Sequence, residues 1–177
     1  EYHRAIYGIE KEYRLSKVAK VSAFMYGQQE INICYGDALV NQHAAFPGIE
    51  DGSFDILVAN PPYSVRGFLE TLPEKDRQAY KLADSINELE TANSIEAFFI
   101  ERAKQLLRTG GVAAIVLPSS ILSNGNSIYV RAREILIQYF DIVAITEFGS
   151  GTFGKTGTNT VTLFLRRKPT TPDTAQH

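Results

Sequence analysis

The sequence predicts an α/β chain built on an open, mostly parallel sheet with helices on both faces. Three observations predict it. Apolar runs of strand type alternate with stretches of helical spacing in the order β-α-β-β-α-β-α-β-β. Residues 112–117 form a near-continuous apolar run, the mark of a strand covered on both faces. Glu10, Asp37, Asn60 and Pro118 each sit at or just after the end of a predicted strand, and sheets of this class bind ligands beyond the carboxyl ends of their strands.

The elements follow from local patterns. Residues 5–9 read as a short strand ending at Glu10. Residues 12–26 carry Leu15, Val18, Ala19, Ala23 and Met25 at helical spacing, with Gly27 as a C-cap. Residues 31–35 are a second strand, running into Gly36-Asp37, and residues 41–53 read as loop around Pro47, Gly48 and Gly52. Residues 54–59 form an apolar strand that delivers Asn60. The mostly polar residues 64–93 are longer than an ordinary connection and read as a functional excursion or mobile lid, with a surface helix over residues 73–83. Asn93 and Glu96 have capping-box spacing ahead of a helix whose inner face carries Ile95, Phe98, Phe99, Ala103, Leu106 and Leu107, ended by Gly110-Gly111. A polar loop (residues 118–127), a helix (residues 128–139), a strand (residues 141–148), a glycine-threonine loop (residues 149–158) and a last strand (residues 160–165) complete the order. Residues 1–168 are expected to form a partial catalytic domain, and residues 169–177 the start of a linker or tail.

Composition bounds the function. With 177 residues, 44% hydrophobic and 21% charged, the chain can bury a real core. A formal net charge of -2 supplies no overall basic field for nucleic acid, so DNA affinity should be weak without a local patch or another domain. The single cysteine, Cys34, lies in an apolar strand and reads as a small buried hydrophobe. It allows no internal disulfide, nothing nearby suggests a metal site, and a cytoplasmic setting fits. No apolar run reaches membrane-spanning length.

Asn60-Pro61-Pro62-Tyr63 carries the chemistry. A side-chain amide precedes two residues without backbone N–H groups, so nearby carbonyls stay free to accept hydrogen bonds. Tyr63 adds a flat face. Such a set can hold a planar, amine-bearing group. Glu10 and Asp37 could each be a solvated acid at a strand end, yet their shared place with Asn60 at the same ends favours a site that accepts from ribose hydroxyls or an adenine amine. Residues 149–156, Gly-Ser-Gly-Thr-Phe-Gly-Lys-Thr, match the phosphate-loop pattern in full, but that loop works only ahead of a helix. Here alternating threonines and apolar residues follow, a strand pattern, so the match is accidental. His3, His43 and His177 are scattered and build no catalytic triad.

Four stretches together resemble a known family. They are Tyr7-Gly8-Ile9-Glu10 with its helix, Gly36-Asp37-Ala38-Leu39, Asn60-Pro61-Pro62-Tyr63, and the run from Gly110 through Pro118 to Gly151-Thr152-Phe153 and Thr158. The chain resembles the adenine-N6 DNA methyltransferase domain of type I restriction-modification modification subunits. The resemblance covers nearly the whole chain. It implies a Rossmann-like fold that uses S-adenosylmethionine. By the same resemblance, Glu10 would hold the cofactor's ribose hydroxyls and Asp37 its adenine amine. Asn60 and the carbonyl of Pro61, carried with Pro62 and Tyr63 as the catalytic motif, would accept from the N6 amine of a flipped adenine. Asn60 would also border the cofactor. Tyr63 and Phe153 would stack on the base.

Two departures stand out. Lys11 replaces an apolar residue expected to pack on the cofactor ring. The family's first, central strand and its glycine-rich loop should precede Ala5, so the chain is expected to be a fragment that binds S-adenosylmethionine poorly and could self-associate through an open sheet edge. The implied partners are DNA, a specificity subunit or fused target-recognition domain, and a restriction subunit. A methyltransferase for protein glutamine or RNA, and a non-catalytic assembly piece, remain the alternatives.

Overall fold

The computed structural model describes residues 2–149 and 158–169. They divide into two compact units, residues 1–50 and 51–177. In the first, a 3-10 turn (Tyr2–Ala5) leads into β1 (Tyr7–Glu10), α1 (Tyr13–Met25) and β2 (Asn32–Tyr35). The expected first strand therefore starts two residues late, because residues 2–5 coil. β1 and β2 pair in parallel, Tyr7 opposite Asn32 and Glu10 opposite Tyr35. Helix α1 starts where the Glu12 side chain accepts from the Leu15 amide and stops before Gly27, whose φ of +80° suits a residue without Cβ.

The second unit holds a four-stranded sheet in the order β3-β4-β6-β5. Its elements are β3 (Phe54–Ala59), the single turn α2 (Glu74–Arg77), α3 (Ile95–Leu106), β4 (Leu107–Pro118), α4 (Ser127–Tyr139), β5 (Phe140–Phe148) and β6 (Thr160–Arg167). β3 and β4 pair in parallel, while β6 runs antiparallel to both β4 and β5. Three of its four strands thus point one way, with β6 reversed between two of them. Only residues 149–159 join β5 to β6, fewer than a crossover connection usually needs, and a short return of that kind makes an antiparallel pair.

One face of this sheet buries Ala113, Ile115, Leu117, Val161, Leu163 and Leu165, each at most 4% exposed. Helix α3 packs on β3 and β4, and α4 on β5 and α3. The opposite face is apolar and exposed: Ile56 is 66% and Val58 79% exposed, beside Val143 and Phe164. β1 has β2 as its one described ladder partner, and β3 has β4.

The junction from α3 into β4 is tighter than two glycines ending a helix would suggest. The helix stops at Leu106, and residues 108–111 bulge between the Phe54–Leu107 and Ile56–Val112 pairs. Gly110 has a φ of +79°, and a Cβ on Gly111 would lie 2.9 Å from the Phe54 carbonyl oxygen. Both glycines are needed for the bulge.

Residues 64–93 overturn the expectation of a lid. Phe68, Leu69, Leu72, Tyr80 and Leu82 are each at most 3% exposed. Phe68 and Tyr80 meet Phe98 of α3 with ring centroids 5.0 and 5.3 Å away. The buried Glu101 accepts from the backbone amides of Lys81 and Leu82 at 2.9 and 3.0 Å. The surface helix over residues 73–83 is only Glu74–Arg77, followed by a 3-10 turn at Lys81–Ser85. The segment is part of the core, held on α3 by rings and a carboxylate.

Candidate active site

In the first unit, parallel pairing puts the ends of β1 and β2 side by side, the Gly36 amide donating to the Glu10 carbonyl at 3.0 Å. Glu10 turns one carboxylate oxygen back onto the Glu12 amide at 2.7 Å. Asp37 is held firmly. Its Oδ1 accepts from the Leu39 amide at 2.9 Å, and its Oδ2 pairs with Lys11 Nζ at 2.7 Å. Lys11, the departure noted above, therefore reaches across the two strand ends to Asp37. A carboxylate has about four acceptor sites, so Asp37 retains capacity for a donor after both contacts. Cys34 is buried, 3.4 Å from Gln42 Oε1, and burial pushes its thiol pKa up.

In the second unit, β3 ends at Ala59 and presents Asn60 exposed. Pro61 is buried, Pro62 exposed and Tyr63 half-buried, so alternate residues of the motif anchor and present it. The Tyr63 hydroxyl is buried without a hydrogen-bond partner among the described residues. Burial, then the nearby Glu96 charge, raises its pKa. Ser64 follows in the left-handed region, φ +54°, which costs a non-glycine residue on the order of 1–3 kcal/mol unless its surroundings hold it.

What holds Ser64 is a residue the sequence reading assigned differently. Glu96 does not close a capping box with Asn93. Ser94 takes the N-cap position of α3 with no side-chain cap bond, and Glu96 is 1% exposed. Its Oε2 accepts from the Ser64 amide at 3.0 Å and its Oε1 from the Tyr129 hydroxyl of α4 at 2.6 Å. The signal available in the sequence was an acid inside the apolar run Ile95-Glu96-Ala97-Phe98-Phe99, where a surface face would not put one. Arg133, one turn further along α4, donates to the Ile121 carbonyl at 2.9 Å and so fixes the loop after β4. Helix α4 thereby braces the loops that follow both β3 and β4.

Burial, and after it the hydrogen bond to Glu96, pushes the Tyr129 pKa up to about 12. Tyrosine in an unfolded chain titrates near 10. The folded state then holds this proton more tightly than the unfolded one. The resulting stability is complete below about pH 10 and is lost as pH rises through about 12. Absorbance titration of the phenolates should show one tyrosine ionising near pH 12, and a Tyr129→Phe variant should lose that step.

Phe153 and the phosphate-loop match at residues 149–156 fall largely outside the described residues, so the expected second stacking partner lies outside them. The chain downstream is described, and it is strand β6 and not a helix, which removes the context a phosphate loop needs.

The family model for N-6 DNA methylase matches residues 1–176, almost the entire sequence. The chain belongs to the N-6 DNA methylase family. None of the curated proteins compared matches it. Solved structures share the fold. The methyltransferase subunit of a type I restriction-modification system from Streptococcus thermophilus is 22% identical, with a TM-score of 0.66, covering 93% of this chain and 34% of its own. The M protein of the type I restriction enzyme EcoKI is 18% identical, with a TM-score of 0.67, covering 92% and 31%. A Listeria monocytogenes protein assigned to the class I S-adenosylmethionine-dependent methyltransferases is 18% identical, with a TM-score of 0.69, covering 92% and 44%. This N-6 DNA methylase chain thus spans less than half the length of each of these three solved chains. Among its described residues, no helix is long and apolar enough to cross a membrane.

Proposed function

We propose that the protein carrying this chain transfers a methyl group from S-adenosylmethionine to the N6 amine of adenine in DNA. The observation that carries the reading is Asn60, exposed at the carboxyl end of β3 and followed by the buried Pro61 and the half-buried Tyr63, in a chain of the N-6 DNA methylase family. The Asn60 carbonyl and the Pro61 carbonyl accept from the target amine and draw its electrons out of the ring system, leaving nitrogen a better nucleophile. Tyr63, and Phe153 with it, stack on the base. No covalent enzyme intermediate is required, so positioning and electrostatics supply the rate.

Glu10 and Asp37 fit the cofactor as acceptors. Carboxylates at two adjacent parallel strand ends suit the donors of a ribose and an adenine amine, and Asp37 is pre-set by the Leu39 amide and Lys11. Bound S-adenosylmethionine supplies an electrophilic methyl on its sulfonium. Residues 1–168 form the catalytic part in this reading, and residues 169–177 lead away from it.

The choice of DNA sequence belongs to a specificity subunit or a fused target-recognition domain, and a restriction subunit completes the system. Pairing of two copies along the edge of β3 that carries no ladder partner among the described residues is the route to self-association that this strand offers. Incubating the full-length protein with tritiated donor and DNA, RNA or protein acceptors tests the reading. Label should enter DNA; label entering RNA or protein glutamine instead would replace it.

A further inference from the structure

We infer that Glu96 is a positioning residue for the Asn60-Pro61-Pro62-Tyr63 motif, joining the Ser64 amide to the Tyr129 hydroxyl. This rests on the proposed methyl transfer and adds a residue to it.

Ser64 sets the direction in which the chain leaves Tyr63. Its backbone is left-handed, a conformation that a serine keeps only when something outside the loop holds it. Glu96 Oε2 is the acceptor for the Ser64 amide, and the first turn of a long helix carries it. The other oxygen is itself fixed by Tyr129, so the carboxylate cannot rotate away without breaking a buried 2.6 Å bond. The Tyr63 hydroxyl lies buried close enough to sense the Glu96 charge, yet has no hydrogen bond of its own among the described residues. Glu96 therefore holds the backbone of Ser64, the residue that directly follows Tyr63. Glu96 itself is buried and not placed to touch an incoming base.

The inference separates the two ends of the side chain from its bulk. Glutamine at this position keeps a carbonyl for the Ser64 amide and offers its NH2 to the Tyr129 hydroxyl, which can turn to accept. Alanine keeps neither. A misplacement of about 1 Å at reacting groups costs on the order of 100-fold in rate. Glu96→Ala in the full-length protein should therefore lower kcat on unmethylated genomic DNA by roughly 10- to 100-fold, while KM for S-adenosylmethionine changes by less than about threefold. Glu96→Gln should recover most of that kcat. Tyr129→Phe, which keeps the ring and removes only the hydroxyl, should fall between them.

Tritium transfer from labelled donor, with kcat and KM determined separately for each variant and folding checked by circular dichroism, decides the matter. Wild-type kcat in a folded Glu96→Ala variant would overturn the inference. So would an equal loss in Glu96→Ala and Glu96→Gln. If Glu96→Ala does not fold, Tyr129→Phe and Glu96→Gln carry the test, and wild-type kcat in Tyr129→Phe overturns it. A wild-type protein that, with its specificity subunit or fused target-recognition domain present, moves no methyl to DNA would instead overturn the proposed function, and this inference with it.

Discussion

Replacing Asn60 by alanine in the full-length protein should lower kcat for DNA methylation by at least about 100- to 1,000-fold, the scale on which a single preorganised polar group acts in a transition state. The reason lies in where the residue sits. β3 brings it to the carboxyl end of the sheet, and the buried Pro61 behind it fixes the backbone. Its side chain is exposed, and no hydrogen bond ties it to another described residue, so its oxygen is available to a substrate amine. Alanine removes that acceptor and leaves the strand untouched. An exposed polar residue also contributes little to stability, so the melting temperature should stay within a degree or two, as for surface substitutions worth about 0.5 kcal/mol or less. The binding constant for S-adenosylmethionine should move by only a few-fold, because Glu10 and Asp37 are unaltered. A kcat within tenfold of wild type would show that Asn60 does not touch the reacting amine.

The second large effect is on stability. Phe98→Ala should destabilise the protein by about 3–5 kcal/mol in urea unfolding, the usual cost of deleting a buried aromatic ring. Phe98 is 0% exposed. Its ring stands 76° to that of Phe68 and 54° to that of Tyr80, and both of these belong to the segment after the N-P-P-Y motif. Removing the ring therefore leaves a cavity between α3 and residues 64–93 and releases the segment as well as the core. Trypsin should then cut faster at Arg66, Lys75, Arg77 and Lys81, all within it. A loss below about 1 kcal/mol, with unchanged proteolysis, would mean that the segment does not depend on this cluster.

The same segment marks the limit of what the sequence discloses. β3 matches the expected strand residue for residue, α1 is one residue shorter than the expected helix at each end, and α4 starts one residue early. Those elements have a regular apolar period that repeats for several turns or fills a whole strand. Residues 64–93 do not. Their buried side chains Phe68, Leu69, Leu72, Tyr80 and Leu82 sit on short turns, so no period links them, and the polar residues between them suggest a surface. The apolar run around Glu96 hints at its burial, but its partners are not legible, because Ser64 and Tyr129 are more than 30 positions away in the chain. The reversed direction of β6 was within reach, since residues 149–159 leave no room for a crossover helix of ordinary size.

The candidate site divides in the same way. Asn60-Pro61-Pro62-Tyr63, Glu10 and Asp37 stand out because each sits at or just after the end of a strand, a position that one-dimensional pattern can show. The support behind the motif, Glu96 with Tyr129, and behind the loop after β4, Arg133 with Ile121, comes from packing of α3 and α4 and leaves little trace in sequence order.

Identity of the methylated product tests the central claim most directly. DNA treated with the full-length protein and labelled S-adenosylmethionine can be digested to nucleosides and separated by chromatography with mass detection. The account predicts label in N6-methyldeoxyadenosine with wild-type protein and none above background with Asn60→Ala. Label in a methylated cytosine, or equal label in N6-methyldeoxyadenosine from both proteins, would contradict it.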